Sequence, residues 1–291
     1  MAATGPQPVP DGQLSRTVGP VRAIRLSDHP GTMLKEAQRR RSAADQDRQL
    51  AHTEALAAGR ERAARARQAR DQARAQHRWG AWLRGIFAVW RAGRQIAASR
   101  VVASQPTDEE ERLAAGAAGE RLVAEELARA LDDHWTLLSG YRNRRGEIDH
   151  VVLGPRGLFA IEVKNQNATI DCHGDQWWST KYDRYGNPVG PRQHMADRRG
   201  RSPSVQLNEP ASQLADFLYS RGHPVAIRRI VVLTHPRALL RSRTRPTVDI
   251  CTSVRQLRTL LNDPPVAIAA AQRAELERLI IRDHRFHERR R

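Results

Sequence analysis

The sequence predicts an α/β domain preceded by a long basic helical extension, and three observations carry that prediction. Residues 146–153, 157–164 and 227–233 are short apolar runs with the length and β-branched content of buried strands. Helical patterns over 108–132 and from about Val205 to Ser220 alternate with them, as in an α/β domain. Upstream, Met33 to about Arg78 is built of Ala, Arg, Gln and Glu with few breakers and few large apolar residues, the composition of an exposed helix.

Taken in order, residues 1–31 mix Pro, Gly and polar residues without period and read as disordered. Residues 32–105 read as the basic helical extension. A proline in Ser104 to Thr107 precedes Asp108-Glu109-Glu110-Glu111, and acids suit the positive end of a helix dipole, so a domain starts near 106. The α/β domain spans 106–262, and residues 263–291 form a basic C-terminal helix after the Asp263-Pro264-Pro265 break. Within the domain, Leu113, Leu122, Val123, Leu127 and Leu131 give the first helix its apolar positions. Strands follow at Trp135 to Leu138, Gly146 to Leu153 and Gly157 to Lys164. Thr169 to Cys172 and Gln176 to Lys181 extend the sheet, and Arg184 to Ser204 is a long Gly-, Pro- and Arg-rich loop of the kind often found beside a site. After the second helix come strands at Ile227 to Leu233 and Thr247 to Cys251, then a helix opening at Thr252 or Ser253.

The net charge of +17 over 291 residues implies attraction to polyanions, either nucleic acid or an anionic membrane surface. Arginine enrichment from a GC-rich genome gives the same charge without either partner. Cys172 and Cys251 are far apart and in no metal-ligand pattern, so free thiols in a reduced cytoplasm are expected, with no disulfide and no zinc. The stretch Met1 to Pro10 does not read as a signal peptide, and no run approaches the ~18 to 20 apolar residues of a spanning helix. The expected location is the cytoplasm, at the nucleoid or at a membrane surface.

Residues 60–100 hold eleven arginines against Glu61 and Asp71, a net of +9. Within them Trp79, Trp82, Leu83, Ile86, Phe87, Val89 and Trp90 fall at helical spacing with Arg78, Arg84, Arg91 and Arg94 flanking or interrupting them. Such a helix can dock on the globular domain, self-associate through residues 79–90, or lie in a membrane interface.

The chemistry concentrates in one hairpin. Gly154-Pro155-Arg156-Gly157 carries a type I turn signature, and a symmetric hairpin about it pairs Leu153 with Leu158, Val151 with Ala160 and Asp149 with Glu162. The two carboxylates then face each other, where like charges repel unless a cation intervenes. Glu162 and Lys164 share a strand face. Lys164 is one of only three lysines, with Lys35 and Lys181, among 49 basic residues, and a compact ammonium is not interchangeable with a guanidinium. Hard oxygen donors suit Mg²⁺, and the chemistry that follows is metal-assisted phosphodiester hydrolysis, with Lys164 holding a water or stabilising developing charge. A surface hairpin with an ordinary ion pair gives the same short pattern. Against that, the strand interiors are apolar, which makes charge expensive there. Two further polar residues stand at suitable places: Glu120 in Gly116-Ala-Ala-Gly119-Glu120 and Gln213 in Asn208-Glu209-Pro210-Ala211-Ser212-Gln213, each readable also as a solvated helix residue. His150 faces the opposite side of its strand from Asp149, as a core histidine or a support for the site. Trp177 and Trp178 read as sheet packing or as a stacking surface for bases.

Gly119-Glu120, Gly146-Glu147-Ile148-Asp149-His150-Val151-Val152, Pro155-Arg156-Gly157-Leu158, Ile161-Glu162-Val163-Lys164-Asn165, Trp177 and Asn208 to Gln213 together closely resemble the nuclease-related domain, NERD, over about residues 114–235. That family is placed with the restriction-endonuclease-like PD-(D/E)xK fold, so the resemblance implies a mixed central sheet with flanking helices and a Mg²⁺ site, with Mn²⁺ as a substitute. It implies that Asp149 and Glu162 bind metal, that Lys164 is the catalytic lysine, and that Glu120 and Gln213 complete the set. The Val163 backbone carbonyl and Glu120 are its further metal ligands. Ile148 stands where the superfamily name has proline, and metal binding does not need that proline. The implied activity is cleavage of nucleic acid, DNA first, by an endonuclease or nuclease-like processing protein. A catalytically silent nucleic-acid-binding module, or a membrane-surface scaffold acting through the N-terminal helix, are the other readings of the same chain.

Overall fold

The computed structural model describes residues 19–98, 104–183, 185–263 and 267–290. In chain order the elements are β1 (Arg22–Arg25), α1 (His29–Ala75), α2 (Trp79–Ala98), α3 (Asp108–Ala130), β2 (Thr136–Asn143), β3 (Gly146–Gly154), β4 (Gly157–Lys164) and β5 (Thr169–His173). They continue with β6 (Gln176–Thr180), β7 (Gln193–His194), α4 (Pro203–Ser220), β8 (Ile227–Leu233), β9 (Leu239–Thr244), β10 (Asp249–Cys251), α5 (Val254–Asn262) and α6 (Ala270–Glu288). Two compact units result, one from residues 1–29 with 115–291 and the other from 30–114.

The larger unit is built on a six-stranded sheet in the order β1-β2-β3-β4-β8-β10. The β2-β3 and β3-β4 pairs are antiparallel, and the β1-β2, β4-β8 and β8-β10 pairs are parallel. Alternation along β4 sorts its side chains between two cores. Leu158 and Ala160 face Leu207, Ala211 and Leu214 of α4 and Leu276 and Ile280 of α6. Phe159, Ile161 and Val163 face Val123 and Leu127 of α3 and Leu257 and Leu261 of α5. The sheet is therefore covered on both sides, which is why β4 and β8 read as continuous apolar runs rather than alternating ones. Each fully buried Leu, Ile or Phe stabilises by about 1.5–3 kcal/mol.

Four expectations change. Residues 1–18 of the segment expected to be disordered lie outside the described residues, but Arg22–Arg25 is a strand, paired in parallel with Thr136–Ser139 of β2. Buried Val21 tethers it in the α3-side core. Thr169–His173 and Gln176–Thr180 do not extend the main sheet; they form a second, four-stranded sheet in the order β7-β6-β5-β9. The short strand β7 interrupts the stretch expected to be loop, and β9 forms where no strand was expected. The C-terminal helix is no separate piece, since α6 lays Leu276, Leu279 and Ile280 into the core. Its Asp283 also accepts a hydrogen bond from the buried Tyr141 hydroxyl.

In the smaller unit, α1 and α2 form a helical pair, and the acidic start of α3 caps itself. Glu110 N donates to Thr107 Oγ1 at 3.2 Å, and Thr107 N donates to Glu110 Oε2 at 3.0 Å, the reciprocal capping box.

The sheet is irregular at one place that matters for the site. Leu138 and Tyr141 on β2, and Ile148 and Val151 on β3, are three residues apart yet all join the α4-side core, which strict two-residue alternation forbids. Gly140 and Asp149 lie between these pairs and have no registered partner in the β2-β3 ladder. Gly140 sits at φ +73°, and a Cβ there would come within 2.4 Å of the Ser27 carbonyl oxygen. Only glycine tolerates both conditions. The break turns Asp149 out of the regular pleat.

Candidate functional site

Lys164 ends β4 opposite Leu233 of β8, at the carboxyl ends of two parallel strands, where open α/β sheets place their ligand sites. Glu162 shares its face, and their heads meet: Lys164 Nζ donates to Glu162 Oε1 at 2.6 Å. A second N–H of the ammonium donates to Gln206 Oε1 on α4 at 3.0 Å. Gln206 is fixed in turn, its Nε2 donating to the Arg201 carbonyl at 2.7 Å. The Glu162 side chain is 7% exposed and that of Lys164 20%, so the pair is largely withdrawn from water.

Asp149 arrives from β3. The hairpin register is the expected one through Leu153↔Leu158, Val151↔Ala160 and His150↔Ile161, but it stops one step short of Asp149 and Glu162. At the break, the Asp149 carboxylate reaches across and Oδ2 accepts the Val163 amide N–H at 2.7 Å. The Val163 backbone group that meets Asp149 is thus the amide; its carbonyl shares that edge of the strand, as the N–H and C=O of one residue do, whereas the next carbonyl, that of Lys164, turns the other way and accepts the Thr234 N–H at 3.1 Å.

Glu120 comes from α3, half-buried. Gly119 beside it lets the helix lie close against the strand ends, since a Cβ there would meet Asn165 Cβ at 2.8 Å and Thr234 Oγ1 at 2.9 Å. Asn165 Nδ2 donates to the Ala115 carbonyl at 2.8 Å and fastens the same approach. His150 lies behind the site. Its ring joins Ser139 Oγ at 3.0 Å and the Glu120 carbonyl at 3.1 Å, and burial pushes its pKa down to about 4, so a neutral ring ties β3 to α3.

The electrostatics follow from three carboxylates sharing one ammonium. Burial, with Glu162 and Glu147 nearby, pushes Glu120 up to about 8. Burial and the charges of Glu162 and Glu120 likewise raise Asp149 well above the usual carboxylate range. Burial acts to lower Lys164, but Glu162 and Asp149 outweigh it and hold the ammonium above its ordinary value. Lys164 is therefore charged, while Glu120 and Asp149 hold their protons far more readily than ordinary carboxyls, because three ionised carboxylates cannot share one ammonium in a place withdrawn from water.

Of the residues expected from sequence, the structure gathers Lys164, Glu162, Asp149 and Glu120. It does not bring Gln213 to Lys164. Gln213 lies seven residues, about two helical turns or ~10 Å, further along α4, and its Oε1 is buried without a partner among the described residues. Gln206 holds the position instead. Both lie on nearly the same face of α4, so the helix period gave no means of choosing between them. Among the described residues no group of three or more His, Cys, Asp and Glu stands together at metal-ligand spacing; Glu162 is turned to Lys164 and Asp149 to Val163.

Beside the site, the Arg-rich loop is ordered by a side-chain turn. Asp197 Oδ1 accepts the N–H groups of Arg199 at 2.8 Å and Arg201 at 2.9 Å, and Oδ2 accepts Arg201 Nε at 2.9 Å. Arg201 Nη1 reaches the Arg145 carbonyl and Glu209 Oε2, each at 3.1 Å. The loop is thereby fastened to the β2-β3 hairpin and, through Gln206, to Lys164. Arg198 and Arg199 on the loop and Arg144 and Arg145 on the hairpin are exposed. On the second sheet Trp177 is fully buried, its indole N–H donating to Ser204 Oγ at 2.6 Å. Trp178 is half-buried, under the Arg192 guanidinium at 4.4 Å.

Residues 115–234 match the family model described as nuclease-related domain, NERD. No curated protein and no solved structure matches the chain. The matched segment holds every residue of the Glu120, Asp149, Glu162, Lys164 and Gln206 cluster, on a mixed α/β sheet consistent with the restriction-endonuclease-like fold. This chain thus carries a nuclease-related domain over residues 115–234, whose general setting is the PD-(D/E)xK superfamily.

Proposed function

We propose that the protein hydrolyses phosphodiester bonds in nucleic acid, DNA first, with Mg²⁺ as its metal and Mn²⁺ able to replace it. The observation that carries this reading is the crowding of carboxyl groups: Glu120, Asp149 and Glu162 act on one another and share the single ammonium of Lys164. Carboxyls whose ionisation is suppressed by one another give up their protons when a divalent cation stands between them, and carboxylate oxygens are the donors Mg²⁺ prefers. By donor chemistry Asp149 and Glu162 would hold such an ion, with Glu120 and the Val163 carbonyl as further ligands, once the two carboxyls turn from the Val163 amide and the Lys164 ammonium. Held there, Mg²⁺ would supply Lewis-acid chemistry, favouring ionisation of a water and offsetting charge on the phosphate.

The chain's own groups do the rest. Two of the three N–H donors of Lys164 are used on Glu162 and Gln206, leaving the third for an oxygen of the scissile phosphate or for the attacking water. Gln206 fixes the direction of that donor. Arg144, Arg145, Arg198 and Arg199 meet flanking phosphates, which orients the strand without reading its sequence. Binding of this kind weakens steeply with salt.

The test incubates the full chain with single- and double-stranded DNA and with RNA, in Mg²⁺, Mn²⁺ or chelator, beside Asp149→Ala and Lys164→Ala. Metal-dependent cleavage lost in both variants is expected. Salt-sensitive binding that survives Lys164→Ala, with no product from any substrate, would establish a silent binding module in its place. Absence of both cleavage and Mn²⁺ binding would overturn the metal site itself.

A further inference from the structure

We propose that α2 is an interfacial anchor that seats the chain on an anionic lipid surface. The inference rests on the smaller unit alone and is independent of the metal site. Trp79 is 59% exposed, Leu83 58%, Ile86 39%, Phe87 72% and Trp90 56%. They occupy positions i, i+4, i+7, i+8 and i+11 of one helix, so at 3.6 residues per turn they fall within a wedge of about 100°. Soluble proteins expose single large apolar residues freely, but a contiguous stripe of five marks an interaction surface.

Gly59, Arg62 and Ala66 of α1 form an open cleft with Leu83 and Phe87 at one edge of this stripe, yet both side chains stay more than half exposed. On the other side of α2 a Cβ on Gly85 would meet Arg70 Cβ at 2.7 Å, so α2 lies closest to α1 there. Ala81, Trp82 and Val89 share that flank and are half-buried. On the other border of the stripe stand Arg84 and Arg91, and Arg94 follows Trp90 at the end of the stripe itself, its guanidinium 4.8 Å from the Trp90 ring centre. The helix contains no Asp or Glu. No helix among the described residues is long and apolar enough to cross a membrane, so α2 would lie along a bilayer rather than span it.

Charge decides among the occupants. A second copy of α2 would bring Arg84, Arg91 and Arg94 near their own equivalents with no carboxylate on the helix to pair with them. A nucleic acid would satisfy the arginines but leave five large apolar side chains in water. An anionic bilayer satisfies both halves of the surface: the stripe enters the boundary between headgroups and acyl chains, where tryptophan is favoured, and the arginines extend to lipid phosphates and carboxylates. The net charge of +9 over residues 60–100 adds long-range attraction to the same surface.

The test uses the full chain with vesicles of phosphatidylcholine alone and of phosphatidylcholine with about one third phosphatidylserine. Cosedimentation is the binding readout, and quenching of tryptophan emission by brominated acyl chains reports insertion. Expected are insertion into the anionic vesicles, at least ~10-fold weaker binding to the neutral ones, and weakening by salt. Phe87→Glu with Trp90→Glu should lose about 10-fold or more in binding, while far-UV circular dichroism and melting stay unchanged because both side chains are exposed. Equal binding to neutral vesicles, absence of quenching, or full binding by the double variant would overturn the proposal. So would lipid-free self-association, or binding of a DNA duplex, that the same double variant abolishes.

Discussion

Replacing Lys164 with Met removes the only ammonium among three carboxylates while keeping most of the side-chain volume. The loss is set by what remains: a Glu162 carboxylate only 7% exposed, next to Asp149 and Glu120. Breaking a buried ion pair by deleting one partner costs about 3–5 kcal/mol. Because Lys164 keeps 20% of its exposure, water can reach the vacated position, and the low end, about 3 kcal/mol, is appropriate. At roughly 2–4 °C per kcal/mol for a domain of this size, Tm should fall by about 6–12 °C in metal-free buffer. The assay is thermal unfolding followed by circular dichroism for wild type, Lys164→Met, Glu162→Gln and the double variant, at one pH and with chelator present. The double variant removes both members of the pair and should recover most of the loss, a coupling of about 2 kcal/mol. Lys164→Met melting within about 1 °C of wild type, with additive effects in the cycle, would refute the picture of carboxylates crowded around one essential cation.

Gln206→Ala should lower cleavage about 10- to 100-fold with little change in stability, because it frees the direction of Lys164, whereas Gln213→Ala should leave the rate within about 2-fold; steady-state assays of the two separate the roles. Asp171 in the second sheet is held below its usual range chiefly by its hydrogen bond to Arg241, against the opposing effect of burial, with help from Ser242 and Arg192. Its depressed folded value means that its contribution is present above the unfolded value of 3.8 and is lost as pH falls through the folded one. Asp171→Asn should therefore destabilise by about 1–2 kcal/mol at neutral pH and show a smaller loss on acidification, read by denaturant titration at each pH. Burial pushes the Cys172 thiol up to about 11 and Cys251 up to about 12. Both should resist an aromatic disulfide reagent at pH 8 in the native chain and react together once urea unfolds it, which timed absorbance measurements will show.

Much of this architecture was legible because local signals and tertiary burial agree. The Gly154-Pro155-Arg156-Gly157 turn fixed the hairpin register, and that register placed Leu153 against Leu158 and Val151 against Ala160 as found. The same register extended to Asp149 opposite Glu162, and there it was not met: the ladder ends at His150 and Ile161, and Asp149 turns to the Val163 amide. The one local sign was Gly140 inside the partner strand, where an isolated glycine marks a bulge or close approach. Strand β1 was hidden within a Pro- and Gly-rich stretch: four residues carry too little alternation to read, and parallel pairing with β2 depends on residues more than a hundred positions away. β9 carries Arg241 and Arg243 on an exposed edge, a polar pattern that protects an edge but obscures it in sequence. The choice between Gln206 and Gln213 needed the height of α4 along β4, which helix period alone does not supply.

The most direct measurement is single-turnover cleavage of a DNA substrate at saturating Mg²⁺ by wild type and Lys164→Ala, with Mn²⁺ binding to both followed in parallel. Wild type should cleave, and the variant should lose about 10²- to 10³-fold in rate while still binding the ion. Equal rates in the two proteins, or a wild type that binds Mn²⁺ and cleaves nothing, would contradict the assignment of Lys164 as the catalytic donor beside a metal held by Asp149 and Glu162.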